Sequence, residues 1–304
     1  MNVSLDGRTA IVTGAGGGLG RAYALELARR GARVVVNDIG SSLAGVGDEE
    51  SPAETVVGEI SAAGGTAVAS YDSVATPEGG EAIVRTALDA FGSADIVVNN
   101  AGILRDRTMG KIDWDDLDAV LAVHLKGAFH VTQPAYRAMR ERGYGRIVFT
   151  SSNAGTFGSF GQTAYSAAKS ALIGLSGTLS MEGARHGITS NVVCPIARTR
   201  MTEEMLGELA RSLAPEQVAP LVAYLCSEEC ELTHQVFSAG GGHFARVFTG
   251  LTTGWQAPSS APATAEEVAA HMREISDDAD FITPLAAAHE LEALSAVLSS
   301  TTRR

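Results

Sequence analysis

Residues 12–28 read VTGAGGGLGRAYALELA and begin inside TAIVTG (9–14), an apolar run with the composition of a buried β-strand. Gly14, Gly18 and Gly20 follow the spacing TGxxxGxG, and Leu19 lies between the last two. Glycines permit a tight turn from strand to helix and let the main chain approach a pyrophosphate, whose charge is favoured at a helix N-terminus. The stretch predicts a strand–turn–helix unit that binds a dinucleotide; the alternative is a tight turn with no ligand.

Six further apolar runs repeat the strand signal along the chain: ARVVVND, TAVASYD, ADIVVNNAG, GRIVFTSS, ITSNVVCP and QVFSAGG. Most of them are followed by a segment with helical periodicity. This alternation is typical of βαβ units, in which helices cover both faces of a parallel sheet. We therefore predict an α/β fold with a doubly wound parallel sheet of about seven strands.

The composition changes near the C-terminus. The stretch QAPSSAPAT has the Pro, Ser and Ala content of a linker, and two segments with a helical pattern begin at Thr264 and at Thr283. Thr264 and Glu267 have the spacing of a capping box. We predict one domain over residues 1–255, and a linker with a helical C-terminal extension over residues 256–304.

The overall composition restricts the partners and the compartment. The net charge of −12 argues against a nucleic-acid-binding surface. No apolar run approaches the roughly 20 residues of a membrane-spanning helix, and MNVSLDGRTAIV lacks the features of a secretory signal. Three cysteines suit reduced thiols better than a disulfide framework, and no complete set of metal ligands is evident. We expect a cytoplasmic protein that binds no nucleic acid, membrane or metal.

Two acidic residues end predicted strands at positions where a dinucleotide would be contacted. Asp38 follows Gly20 by eighteen residues, where a carboxylate can accept both ribose hydroxyls of NAD and would repel a 2′-phosphate. Asp72, followed by Ser73, ends the third run and can meet the adenine. Each residue has a plain alternative: a solvated loop acid at Asp38 and an ordinary turn at Asp72.

The stretch TAYSAAKSAL (163–172) places Tyr165 four residues before Lys169. Residues i and i+4 share one face of a helix, so these two side chains would project together. The small residues between them let another group approach closely. The alternative is a tyrosine and a lysine on a solvated helix face.

Three motifs occur in a fixed order: TGxxxGxG, then NNAG (99–102), then Ser152 thirteen residues before the tyrosine of YxxxK. This ordered set resembles that of the short-chain dehydrogenase/reductase family over about residues 1–245. The resemblance implies a Rossmann-type sheet, a nicotinamide cofactor, and hydride transfer at the carboxyl ends of the strands. It also implies cofactor contacts from seven residues: Asn100, Ala101, Gly102, Tyr165, Lys169, Pro195 and Thr199.

Two of these cofactor positions follow the family pattern only in part. Pro195 matches the proline that lies against the nicotinamide, but Ile196 replaces the glycine that usually follows it. Thr199 matches the carboxamide contact only if one residue is deleted.

The resemblance also implies a chemical role for each residue of the third motif. A free phenol has a pKa near 10, and each unit toward 7 takes about 1.4 kcal/mol of differential stabilisation. The charge of Lys169 would favour the phenolate of Tyr165, which exchanges a proton with a substrate hydroxyl while Ser152 hydrogen-bonds the same oxygen. Lys169 would also hold the nicotinamide ribose.

His124 departs from the family pattern, which usually has an asparagine there that completes a catalytic relay through a bound water. A histidine can support the same relay, or it can be a satisfied histidine within its helix. We include His124 in the predicted catalytic set with Ser152, Tyr165 and Lys169.

Several stretches, among them NNAGILRDRTM and FGQTAYSAAK, resemble a narrower group within the family. These are the (3R)-hydroxyacyl-CoA dehydrogenase domains of peroxisomal multifunctional enzymes type 2 and their bacterial relatives. The resemblance implies NAD-dependent oxidation of a (3R)-hydroxyacyl-CoA to the 3-ketoacyl-CoA, with an acyl-CoA as the small-molecule partner, by a homodimer or homotetramer. Four arginines can meet CoA phosphates or form salt bridges instead: Arg105, Arg107, Arg198 and Arg200.

Three functions stay open on the sequence. The first is this hydroxyacyl-CoA dehydrogenase, and the second is a dehydrogenase of 17β-hydroxysteroids or other secondary alcohols. The third is a catalytically idle protein that senses NAD, against which the intact set of Ser152, Tyr165 and Lys169 argues. Turnover of a secondary alcohol separates the third function from the other two.

Overall fold

The computed structural model describes four stretches of the chain: residues 3–40, 51–198, 211–258 and 262–301. The chain divides into two compact units, Met1–Arg246 and Val247–Arg304. The domain boundary after residue 255 stays a prediction.

A central sheet of eight strands is formed within the described residues, in the order β3-β2-β1-β4-β5-β6-β7-β8. All pairs from β3 through to β7 are parallel. The chain builds the sheet outward from β1 in one direction and then from β4 in the other, so the carboxyl ends of β1 and β4 flank a topological switch point. The strands are β1 (Thr9–Thr13), β2 (Arg33–Asn37), β3 (Thr66–Ser70), β4 (Ile96–Asn99), β5 (Gly145–Thr150), β6 (Ile188–Pro195), β7 (Val236–Gly240) and β8 (His243–Val247).

The eighth strand was not expected from the sequence. It follows β7 through Gly241 and Gly242, whose φ angles of 59° and 78° suit a two-residue hairpin turn. Its sequence, HFARV, lies at the sheet edge and is half-buried or exposed throughout. An edge strand needs no continuous apolar run, so the hydrophobic pattern did not reveal it.

Helices cover both faces of the sheet, as expected for a doubly wound α/β fold of the Rossmann type. On one face α1 packs against α2 and the helix Ala219–Leu225, and on the other α3 packs against α5. A π-helical turn, Ala122–Lys126, joins α4 to α5. The helices are α1 (Gly18–Arg29), α2 (Pro52–Ala62), α3 (Pro77–Phe91), α4 (Trp114–Leu121), α5 (Gly127–Arg142), α6 (Asn153–Phe157) and α7 (Thr163–Gly183). Short 3₁₀ turns occupy Met109–Lys111, Ala184–His186 and Pro215–Gln217.

The inner strands are buried on both faces, which explains their continuous apolar sequences. Every residue of β1, β4 and β5 is buried. A strand that is covered by helices on both sides cannot alternate polar and apolar residues. Side chains that do the chemistry therefore have to lie beyond the strand ends.

The second unit is small and has its own two-stranded antiparallel ladder. In it β9 (Leu251–Thr252) pairs with β10 (Phe281–Ile282), and helices span Ala265–Ala270, Met272–Ile275 and Ala287–Thr301. Thr264 and Glu267 form the expected capping box. The last helix begins at Ala287 and not at Thr283; Phe281 and Ile282 are paired in the ladder, and residues 285–286 form a bend before the helix.

None of the described helices of either unit combines the length and the apolar character needed to cross a membrane.

Candidate active site

The glycine-rich loop packs directly against the residues that follow β4. Gly14 has a φ of 62°, and a Cβ there would lie 2.8 Å from the Cα of Ala101. A Cβ on Gly20 would overlap the main-chain oxygen of Gly14. Both glycines are therefore required by close approach of main chain to main chain.

The N-terminus of α1 fits the pyrophosphate of a dinucleotide. Gly17 is the N-cap and supplies no side-chain hydrogen bond to the first turn, where Gly18 and Leu19 lie. The free N–H groups and the positive end of the helix dipole favour an anion at this point. The structure thus brings these residues to the switch point between β1 and β4.

Asp38 lies just beyond β2 with its carboxylate already oriented. One oxygen accepts a 2.9 Å hydrogen bond from the N–H of Gly16, and the other accepts one of 2.9 Å from Gly40. The carboxylate is half-buried beside the glycine-rich loop. This position suits the ribose contact predicted for Asp38, although the contact itself stays a prediction.

Asp72 and Ser73 form a turn after β3. The main-chain oxygen of Asp72 accepts from the side-chain amide of Asn37 at 2.9 Å, and its carboxylate accepts from Ser70 at 3.3 Å. The hydroxyl of Ser73 accepts from the N–H of Ala75 at 3.2 Å. These bonds are those of an ordered turn, and they are compatible with an adenine contact as well.

Thr13 connects the glycine-rich loop to the NNAG motif and was missed in the sequence analysis. Its hydroxyl oxygen accepts from the N–H groups of Asn100 and Ala101, each at 3.0 Å. The side-chain amide of Asn100 in turn donates to the main-chain oxygens of Thr13 and Gly14 at 3.0 Å. The sequence could have indicated this role, since Thr13 immediately precedes Gly14, the first glycine of the motif.

Ser152 follows β5 and caps α6. Its hydroxyl accepts from the N–H of Ala154 at 3.1 Å and donates to the side-chain oxygen of Asn153 at 3.1 Å. Both bonds hold the hydroxyl at the carboxyl end of the sheet.

Tyr165 and Lys169 share one face of α7, as their spacing predicted. Lys169 is only 4% exposed, and its Nζ lies 5.7 Å from the centre of the Tyr165 ring. Of the small residues around them, Ala164 and Ala168 pack into a buried cluster with Ile103. Tyr165 and Lys169 therefore do not lie on a solvated helix face.

The pKa of Tyr165 differs from the sequence-based expectation. Burial raises the pKa of the phenol, and a hydrogen bond with Ser152 lowers it by less. The expected downward shift is wrong for the protein alone, because the spacing of the residues does not reveal how deeply the ring is buried. Burial also lowers the pKa of the Lys169 ammonium to about 8.

His124 lies in the π-helical turn and is buried against Tyr165. Its Nε2 is 2.8 Å from the main-chain oxygen of Ile103 and 3.1 Å from the N–H nitrogen of the same residue. Its Nδ1 has no hydrogen-bond partner among the described residues. Burial, together with the charge of Lys169, lowers the pKa of His124 to about 3. A Cβ on Gly102 would overlap the His124 ring.

Two further residues, Pro195 and Thr199, were predicted to contact the cofactor. Pro195 ends β6, and the N–H of the following residue, Ile196, donates to Ala239 at 2.7 Å. Thr199 lies outside the described residues.

The arginines after NNAG form salt bridges, which was one of the two alternatives for them. Arg105 and Arg107 lie 3.3 Å and 3.6 Å from the carboxylate of Asp116. Arg198 is exposed, and Arg200 lies outside the described residues.

Comparison with known proteins identifies the family. The family model described as short chain dehydrogenase matches residues 8–209. The chain belongs to this family. Its members are oxidoreductases, so the protein is an oxidoreductase that acts on a small molecule with a nicotinamide cofactor.

Three related proteins bear on the function. A short-chain type dehydrogenase/reductase of Mycobacterium tuberculosis is 51% identical over 271 residues, which are 89% of this chain and 94% of that protein. Peroxisomal multifunctional enzyme type 2 of Mus musculus is 52% identical over 243 residues, 80% of this chain and 33% of the mouse enzyme. A Mycobacterium tuberculosis protein named hydroxyacyl-CoA dehydrogenase is 38% identical over 288 residues, 86% of this chain and 88% of that protein.

A solved structure of the full-length peroxisomal multifunctional enzyme type 2 from Drosophila melanogaster has a similar fold. It superimposes with a TM-score of 0.82 at 39% identity, over 98% of this chain and 50% of the fly chain. The chain thus spans about a third of the mouse enzyme and half of the fly enzyme. The resemblance to this group of short-chain dehydrogenases, expected from the sequence, is confirmed.

Proposed function

We propose that the protein is an NAD-dependent dehydrogenase that oxidises a (3R)-hydroxyacyl-CoA to the corresponding 3-ketoacyl-CoA. The observation that carries the proposal is the meeting of Ser152, Tyr165 and Lys169 at the carboxyl end of β5, beside the switch point of the sheet. The substrate class is supported by the name of the 38% identical relative, a hydroxyacyl-CoA dehydrogenase.

In the proposed reaction the chain supplies a proton acceptor and a hydrogen-bond donor. Tyr165 takes the proton of the 3-hydroxyl group, and Ser152 hydrogen-bonds the same oxygen as it becomes a carbonyl. The nicotinamide ring supplies the acceptor for the hydride that leaves C3. Burial disfavours the phenolate of Tyr165, and the hydrogen bond with Ser152 offsets part of this effect. The ammonium of Lys169 lies 5.7 Å from the centre of the ring.

The choice of NAD over NADP rests on Asp38. Its carboxylate is held by Gly16 and Gly40 at the end of β2, where the ribose of a dinucleotide bound at the α1 N-terminus would lie. A 2′-phosphate at that point would face a negative charge. The sequence after Asp38, IGSS, has no cation to neutralise it.

The described residues of the site support binding of a CoA moiety less strongly than they support binding of the substrate hydroxyl group. Arg105 and Arg107 already form ion pairs with Asp116. Arg198 is exposed and is the described arginine that we propose for a CoA phosphate.

A homodimer or homotetramer in the cytoplasm remains part of the proposal. Phe129 on α5 and Met181 on α7 support self-association, since each leaves half of its apolar surface exposed.

The test is NADH formation with matched (3R)- and (3S)-hydroxyacyl-CoA thioesters and with a 17β-hydroxysteroid. Only one enantiomer can present both its hydroxyl group to Tyr165 and its C3 hydrogen to the nicotinamide, so turnover should be stereospecific. Because the proposed substrate is the (3R) thioester, we expect turnover of that enantiomer. Preference for the (3S) thioester would contradict the proposal. Efficient oxidation of the steroid with no turnover of either thioester would replace it with a steroid dehydrogenase.

A further inference from the structure

His124 contacts two different parts of the candidate site at once. Its Nε2 is hydrogen-bonded to the main chain of Ile103, the residue after NNAG. Its ring also meets the ring of Tyr165 edge-on, with the centroids 5.3 Å apart and the planes at 87°. The side chain is only 3% exposed, so it has little freedom to move away from either partner.

The ring contact is of a kind that orients its partner. Edge-to-face pairs with centroids 4.5–7 Å apart are favoured over a face-to-face sandwich, so rotation of the phenol towards a face-to-face arrangement weakens the contact. Gly102 makes room for the arrangement, since a Cβ there would overlap Cε1 of His124.

We infer that His124 is a positioning residue, whose ring edge holds the phenol of Tyr165 in place. The inference rests on the proposed function, in which Tyr165 is the proton acceptor. It differs from the relay considered in the sequence analysis, where the polarity of the side chain matters and its ring does not.

The ionisation of His124 agrees with a role that needs no charge. Burial lowers the pKa of His124 to about 3, so the ring is neutral at physiological pH. The other groups that act on the pKa of Tyr165 are Ser152, Asp106 and Cys194, with the Lys169 ammonium nearby.

Two substitutions at His124 distinguish the role of the aromatic ring from the role of its polar nitrogen atoms. His124→Phe keeps an aromatic edge against Tyr165 and removes both nitrogens, whereas His124→Asn keeps a hydrogen-bonding group and removes the ring. His130→Asn is the matched control, because its Nδ1 also bonds to a main-chain oxygen, that of Val74, from the neighbouring helix α5.

We expect His124→Asn to lower kcat by about tenfold or more, with KM and NAD affinity within about twofold. His124→Phe should stay within about threefold of the unmodified protein, and His130→Asn should equal it. Thermal unfolding of each variant shows whether it is folded. Normal kcat in His124→Asn would overturn the inference, and so would an equal loss in both His124 variants.

A second measurement needs no substrate. The pKa of Tyr165 in the cofactor-free protein is read by ultraviolet titration, as the difference from Tyr165→Phe. His124→Asn should lower that pKa, because a smaller side chain admits water and reduces the burial that raises it. An unchanged value would overturn the inference even if His124→Phe failed to fold. Absence of turnover in the unmodified protein would instead contradict the proposed function and leave this titration valid.

Discussion

The Nζ of Lys169 donates a 2.6 Å hydrogen bond to the main-chain oxygen of Thr150, the last residue of β5. This bond ties α7 to the end of the central strand and holds the ammonium near the ring of Tyr165. A buried ammonium is costly unless it is hydrogen-bonded, and burial accordingly lowers the pKa of Lys169 to about 8. The residue proposed to assist the chemistry is therefore also a source of instability.

Lys169→Met tests this cost through the pH dependence of stability. The Lys169 pKa is about 8 in the folded protein and 10.5 in the unfolded chain, so between these values the unfolded chain binds more protons. The free-energy cost of burying the Lys169 ammonium is fully present below pH 8 and disappears as the pH rises to 10.5. The free energy of unfolding of Lys169→Met relative to the unmodified protein should fall by about 3 kcal/mol over this interval.

Chemical denaturation at a series of pH values measures this difference. Lys126→Met removes an exposed lysine and serves as the control, for which the difference should stay constant. If the Lys169→Met difference is also constant, the ammonium is not destabilised by burial.

Tyr165→Phe removes the proposed proton acceptor and keeps the volume of the ring. We expect the turnover rate to fall by roughly 10²-fold or more, while thermal stability and cofactor affinity change little. Tyr136→Phe, on α5, is a control that should leave the rate unchanged. Near-normal turnover in Tyr165→Phe would remove Tyr165 from the reaction.

Asp38→Ala removes the charge that would face a 2′-phosphate. Fluorescence titration with NAD and NADP should show a preference for NAD in the unmodified protein and a narrower preference in the variant. NAD affinity should also fall, because Gly16 and Gly40 lose their hydrogen-bond acceptor. Asp89→Ala makes the same charge change at an exposed position of α3 and should leave both affinities unchanged. Tighter binding of NADP by the unmodified protein would contradict NAD as the cofactor.

Thr13→Val keeps the shape of the side chain and removes the acceptor for Asn100 and Ala101. Two main-chain N–H groups near the glycine-rich loop would lose their hydrogen-bond acceptor. The free energy of unfolding should fall by about 1–3 kcal/mol for each N–H group that water does not reach. Urea denaturation should show this loss, and NAD should bind more weakly. Thr66→Val at an exposed position of β3 is the control. Unchanged stability in Thr13→Val would mean that water or a neighbouring group replaces the hydroxyl.

Local patterns in the sequence were sufficient to predict most of the fold. The seven apolar runs correspond to β1 through to β7. The inner strands β1, β4 and β5 are apolar along most of their length because helical layers cover them on both faces. The edge strand His243–Val247 has no such requirement and was missed. The pairing of Phe281 and Ile282 with β9 was missed as well, because it is a contact between distant parts of the chain.

The sequence by itself determined which residue types meet at the strand ends, because motif order and the four-residue spacing of Tyr165 and Lys169 are properties of the chain alone. Only the tertiary structure decided how these groups behave. The pKa values of Tyr165 and Lys169 depend on burial. The Lys169 ammonium is held by a bond to a strand end nineteen residues earlier, and the His124 ring lies against a ring on another helix. Burial and contacts of this kind arise between segments far apart in the sequence, and no local spacing records them.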